Sequence, residues 1–282
     1  MPDVTPLPEA DLPRAVALSA LIGWNQTAAD WRVFACHGAV RAVDDGDPRA
    51  LAATAATLPH GAGVAWISMV LVRPDRRREG LATALMRWAV ESLQAAAVPC
   101  IALDATPAGR EVYRRLGFRD LWGFARWALP AALPAETDIA VRRVAAADWP
   151  ALLTLDSAGF GAPREALLRG FAGRCPDAAL VVDAPDGGGI AGALLAREGA
   201  RGPQLGPLHA TDAAVARALL AAGLAARPGA VLDLREGDAC GLGPWLARHG
   251  GRVQRPFTRM ALGADPPGDP ARILAVAGPE FG

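Results

Sequence analysis

Residues 65–72, Ala-Trp-Ile-Ser-Met-Val-Leu-Val, are almost wholly apolar. An unbroken apolar run of this length predicts a central strand buried on both faces. The chain then passes through a basic stretch, and Leu81, Ala84, Leu85, Trp88 and Leu93 recur at helical spacing. Residues 98–104 read as the next strand. Thr106-Pro107 opens a second helix, with threonine as cap and proline at the first position. Residues 118–129 return as one or two strands. Upstream, residues 9–22 and 26–32 read as helices. Residues 33–43 and 51–57 read as strands joined by the turn Asp44-Asp45-Gly46-Asp47-Pro48. The order implies an α/β layer built on a twisted, mixed sheet flanked by helices.

The pattern occurs twice. Residues 11–18, starting Asp-Leu-Pro, align with residues 148–155, starting Asp-Trp-Pro, at an offset of 137. Each reads as a helix start, with aspartate as cap and proline in the first turn. Gly117, Arg126, Ala128 and Leu129 match Gly250, Arg259, Ala261 and Leu262 at an offset of 133. Two anchors at opposite ends predict two copies of one fold. The expected domains are residues 1–130 and 138–282, joined by a proline-rich linker, residues 130–137.

Composition narrows the class little. The chain has 29 arginines and no lysine, yet zero formal net charge. No global field favours nucleic acid or an anionic membrane, and neither is expected as a partner. The four cysteines, Cys36, Cys100, Cys175 and Cys240, fit neither a zinc site nor a redox pair, so no metal is expected. No apolar run is long enough to span a bilayer, and the first residues do not resemble a signal peptide. A reduced, cytoplasmic protein, monomer or homodimer, is the expectation.

The positive charge is local. Arg73, Arg76, Arg77 and Arg78 fall within six residues, a pattern that in most chains is only a solvated loop. Here the run ends in Arg77-Arg78-Glu79-Gly80-Leu81-Ala82-Thr83, between the buried strand and an amphipathic helix. Backbone N–H groups converging at such a turn, with the helix dipole, suit a pyrophosphate. Gly80 permits close backbone approach, and the arginines suit phosphate oxygens. Downstream, the single tyrosine of the chain sits in Tyr113-Arg114-Arg115-Leu116-Gly117-Phe118.

This order of strand, basic turn, helix, strand and Tyr-x-x-x-Gly-Phe resembles the GNAT superfamily of acyl-CoA-dependent N-acyltransferases over residues 9–129. The resemblance implies that the turn holds the pyrophosphate of acetyl-CoA. It implies that the strand end Val70-Leu71-Val72 pairs with the pantetheine arm, and that Tyr113 protonates the leaving thiolate. The oxyanion is expected on a backbone amide near Val70. Arg78 stands where glycine is frequent, Ala82 replaces the last glycine, and Thr106 stands where the family often has asparagine. The resemblance implies that the segment between the first two helices, hence Trp24 and Asn25, lines the acceptor pocket, although a cap for the helix near Thr27 explains that segment equally. Candidates for the base are Asp104, His60 and a water chain.

Further stretches, including residues 23–31, 66–70, 103–109, 160–164 and 205–208, are similar to the YitH-like acetyltransferases, which carry a second GNAT-like domain. In the second half the loop maps to residues 214–219, without glycine, and Tyr113 maps to Leu246. That half is therefore expected not to bind acyl-CoA productively, and to wall the acceptor cleft. Asp156, Phe160, Arg164 and His209 are the residues there to inspect, first as structural groups. The leading expectation is acetyl transfer to a small-molecule amine in a ternary complex. A non-catalytic acyl-CoA sensor and a protein or peptide N-acetyltransferase are the alternatives.

Overall fold

The computed structural model describes residues 2–61, 63–135, 138–185 and 187–282. Glu136 and Thr137, the end of the expected linker, lie outside the described residues. In the first half the elements are β1 (Thr5–Pro6), α1 (Leu12–Leu21), α2 (Ala28–His37), β2 (Ala39–Asp44) and β3 (Leu51–His60). They continue as β4 (Val64–Val72), α3 (Leu81–Ala95), β5 (Cys100–Ala105), α4 (Pro107–Arg115) and β6 (Arg119–Ala128). The second half repeats that order: β7 (Val141–Arg143), α5 (Trp149–Phe160), α6 (Glu165–Arg174), β8 (Leu180–Asp183) and β9 (Ile190–Arg197). It ends with β10 (Gln204–Ala210), α7 (Ala213–Ala226), β11 (Val231–Arg235), α8 (Leu242–Arg248) and β12 (Arg252–Gly263).

Two sequence expectations need correction. Residues 33–37 belong to α2, not to a strand. A capping box between Thr27 and Asp30 starts this helix, and Gly38 ends it. Trp31 and Phe34, one helical turn apart, are both fully buried, so tertiary packing overrides the strand preference of Val33 and Phe34. The two repeated aspartates also do not cap. Asp11 and Asp148 each close a short 3-10 turn, and neither side chain bonds the helix it precedes. Asp148 instead takes both of its oxygens to Arg142 at 2.6 and 2.8 Å.

The strands form one continuous sheet in the order β1-β2-β3-β4-β5-β12-β6-β11-β10-β9-β8-β7. The halves exchange their last strands. β12, from the second half, lies antiparallel to β5, and β6, from the first, lies antiparallel to β11. The exchanged strands pair with each other along most of their length. Two buried ion pairs lock the exchange. Arg259 on β12 donates Nε and Nη2 to Asp104 on β5, both at 2.9 Å. Arg126 on β6 donates the same two groups to Asp233 on β11 at 2.8 and 2.7 Å. These are the arginines that recur at the offset of 133.

After β12 the chain crosses the second half as an extended tail. Leu208 donates its N–H to Ala275 at 3.0 Å, Leu274 to Leu208 at 3.0 Å and Val276 to Asp233 at 3.0 Å. Arg164 pins the end of this tail: it donates to Gly282 O at 2.6 Å and holds Asp156 through two bonds of 2.8 Å. His209 bonds Asp156 at 3.1 Å. The four second-half residues singled out in the sequence thus surround the tail: Phe160, the fourth, lies against Gly282.

Candidate active site

β4 and β5 run parallel but pair only where Val64–Trp66 meets Cys100–Ala102. Beyond that they separate. The cause lies in β4, which carries one residue more than β3 between the pairs Thr54↔Leu71 and Ala56↔Ser68. Met69 absorbs the excess with φ +54°, a left-handed conformation unusual for a residue with a side chain. The Thr54 hydroxyl donates to the Met69 carbonyl at 2.9 Å, inside the core, and holds the bulge in place. A small cavity fills the splay. Ile67, Ser68, Met69 and Val70 line it from β4, and Leu103 and Asp104 from β5.

This cavity shares Trp24, Val70 and Thr106 with a cleft that runs along the end of β4 to the start of α3. Val70, Leu71, Val72, Arg77, Arg78, Gly80, Leu81, Ala82, Thr83 and Thr106 all line that cleft, as the sequence implies. Its lining includes three arginines and no carboxylate. Arg78 and Gly80 have φ +69° and +79°, so the turn needs left-handed backbone where it meets the helix. A Cβ on Gly80 would meet nothing within 4 Å; the glycine answers to conformation, not to crowding. This open, cationic turn fits a pyrophosphate.

Glu79 is a correction. Both of its oxygens accept from Arg76 at 2.9 Å, and it does not line the cleft. Arg73 and Arg76 also pair with Asp45 in the β2–β3 turn, so half of the arginine run anchors the loop to the sheet.

Tyr113 lies on α4 and lines the cavity. Thr106 starts that helix by accepting from Gly109 N–H at 3.3 Å. Burial alone pushes the Tyr113 phenol up to about 12, so it is protonated at neutral pH. Its ring leans back over the preceding helical turn. A Cβ built on Gly109 would stand 2.9 Å from ring atom Cε2 of Tyr113, and Gly109 is therefore the residue that makes room for it. Gly109→Ala is expected to tilt the ring and lower kcat by about tenfold, since small misplacements of a reacting group are costly. Unchanged kcat in steady-state assays would show that ring position is not critical.

The other sequence candidates fare differently. Asp104 lines the cavity, but both oxygens are engaged by Arg259 and its side chain has no exposed surface. Burial pushes its carboxyl up to about 6, against the pull of Arg259. Asp104 is an architectural ion pair here, not an exposed base. His60 lies against Phe160, with ring centroids 4.9 Å apart, and burial pushes its imidazole down to about 3. It does not line the cavity. Trp24 lines both the cavity and the cleft. Asn25 is a wall rather than a contact: its amide donates to Gly202 O at 3.0 Å and accepts from Arg201 N–H at 2.8 Å. Thr27 does cap α2, so this segment serves both purposes. The cavity is completed by residues that sequence reasoning missed: Gln26, Arg126, Arg255, Phe257, Pro279 and Glu280. Four of these come from β12 and the tail, and no local pattern marks them.

The sequence matches the family model described as the acetyltransferase (GNAT) family over residues 8–118 and that of an acetyltransferase (GNAT) domain over residues 152–275. The chain belongs to the GNAT acetyltransferase family. It carries two GNAT domains, and the enzyme class is acyltransferase. Solved structures of similar fold include a candidate acetyltransferase from Pyrococcus horikoshii, 19% identical, with TM-score 0.81 over 99% of this chain and 95% of that one. A GCN5-related N-acetyltransferase from Sphaerobacter thermophilus is 18% identical, with TM-score 0.62 over 95% and 98% of the two chains. A tandem GNAT protein from the clavulanic acid biosynthesis pathway is 16% identical, with TM-score 0.64 over 94% and 99%. No curated protein matches the sequence.

The second GNAT domain differs from the first at each cofactor feature. Its helix α7 is capped by Asp212, whose carboxylate accepts from Ala214 and Val215 N–H at 2.9 and 3.0 Å. A carboxylate thus occupies the position a phosphate would take. β10 and β11 also diverge after one short parallel pairing. Between them lies the tail, with Ala275 bridged to both Leu208 and Leu234. Leu246, at the tyrosine position, is fully buried. Among the described residues no cluster of potential metal ligands occurs, and no helix is long and apolar enough to cross a membrane.

Proposed function

We propose that this GNAT protein is an acetyl-CoA-dependent N-acetyltransferase that acts on a small-molecule amine by direct attack. The observation that carries the reading is the continuity of the cationic turn, the bulged end of β4 and Tyr113 along one cleft. Acetyl-CoA supplies an acetyl group activated as a thioester. Arg77, Arg78 and the amides around Gly80 hold its pyrophosphate, and Val70, Leu71 and Val72 receive its pantetheine arm as an added strand would be received. A backbone amide near Val70 would bond the carbonyl oxygen and stabilise the charge that builds there. The C–N bond forms as the C–S bond breaks. Tyr113 gives its proton to sulfur, and the proton of the amine leaves through water. Neither role requires a cysteine nucleophile, and no cysteine lines the cavity. The second GNAT domain is proposed to contribute walls, not a second reaction centre.

Calorimetric titration with acetyl-CoA tests this directly. One acetyl-CoA is expected to bind per chain. Gly80→Glu forces a side chain onto left-handed backbone and adds a negative charge beside the phosphates, so affinity is expected to fall at least about tenfold, ~1.4 kcal/mol. Equal binding by the variant would remove the turn from the cofactor site.

A further inference from the structure

The reaction cavity adjoins another cleft, with which it shares Asn25, Arg126 and Arg255. The lining of this outer cleft includes Arg126, Arg201 and Arg255 and no carboxylate. Its cations are not equivalent. Arg126 is neutralised by Asp233. Arg255, half-buried, makes no ion pair among the described residues; its guanidinium lies 4.8 Å over the Phe257 ring. Asp233 is already held by Arg126 and by Gln204 at 2.7 Å, and Glu280 by Arg197. Burial first, and then Arg126, disfavour the charge on Arg255. A register shift in β12 between Val253 and Arg255 sets the direction of this side chain. A cation kept in such a place without a partner suits an anion supplied from outside.

The cavity lining has a complementary feature. Gln26 Oε1 and Ser68 Oγ are buried without a hydrogen-bond partner, in residues only 4% and 8% exposed, and both residues line the cavity. Buried oxygens left unpaired are costly unless a ligand satisfies them. An amine has the N–H donors they lack.

We infer that the acceptor is an amine that also carries a carboxylate, with the nitrogen inside against Ser68 and Gln26 and the carboxylate outside on Arg255. Arg201 stands in the same outer cleft and draws the acid toward it. The inference rests on the transferase reading above and adds the substrate class.

Thiol release from acetyl-CoA is measured with amino acids, each paired with its decarboxylated amine, for the native chain, Arg255→Gln and Arg255→Lys. Amino acids are expected to exceed their partners in kcat/KM by about tenfold or more, as a charge-assisted guanidinium–carboxylate bond implies. Arg255→Gln is expected to raise KM for the carboxylated amines about tenfold with kcat nearly unchanged, and to leave the decarboxylated amines alone; Arg255→Lys recovers part of the loss. Equal or better turnover of the decarboxylated amines by the native chain overturns the inference while leaving the transferase reading intact. An equal effect of Arg255→Gln on both classes does the same. No thiol release with any amine, despite acetyl-CoA binding in the calorimeter, overturns both.

Discussion

Tyr113→Phe is expected to lower kcat by about 10²–10³-fold and to leave the dissociation constant of acetyl-CoA within about twofold. The hydroxyl is the only polar atom removed, and the ring keeps its packing against Phe118, 6.2 Å away between centroids. Binding should survive because the cationic turn and the β4 end, not the phenol, are the groups proposed to hold the cofactor. The pH profile carries the same information. Burial alone raises the phenol to about 12, so Tyr113 stays protonated through the whole range in which a protein can be assayed. A limb of kcat falling with rising pH below about pH 10 is therefore not expected from this residue. Steady-state kinetics of the variant against pH, beside a calorimetric titration, read both effects. Full activity in Tyr113→Phe would remove the acid role from this residue.

The second large effect concerns the exchange of strands. Asp104→Ala is expected to destabilise the protein by about 3–5 kcal/mol, because it leaves the Arg259 guanidinium buried without its counter-ion. Asp233→Ala should cost a similar amount through Arg126. Urea denaturation followed by tryptophan fluorescence measures both. A single transition is expected, since the sheet is continuous across both halves and β12 belongs to the packing of β5. Two separated transitions, with each variant shifting only one of them, would mean that the ion pairs do not join the halves. A loss of stability with Asp104→Ala also separates its structural role from chemistry: activity per folded molecule at low temperature should be largely retained.

The first half was legible because its elements advertise themselves locally. The apolar run of β4, the arginine-rich turn with Gly80, and the Thr106 cap before Tyr113 each have a short-range cause, and the cleft assembles them in the expected order. The repeat was legible too, since Arg126 and Arg259 recur for a shared structural reason. Partners distant along the chain were not legible. Asp104 looked like a base because its partner, Arg259, lies 155 positions away. Local motifs say nothing of which strand lies beside which, so the exchange of β6 and β12 left no trace in local pattern. Nor does anything about residues 273–282 in isolation show that they would fill the β10–β11 splay and reach the cavity of the other half. Glu79 looked like part of the turn's business end, but a carboxylate three residues from Arg76 found a nearer use.

The exchange also sets an order of events during synthesis. β5 is complete at Ala105 and β6 at Ala128, but the strand that belongs between them begins only at Arg252. A nascent chain that has emerged through β6 therefore holds an open sheet edge that its own sequence cannot close, and it must wait for most of the remaining chain to be translated. The Arg255 mouth and the wall at Pro279 and Glu280 are translated later still. A product of translation interrupted before Arg255 lacks both the mouth and part of the wall of the reaction cavity.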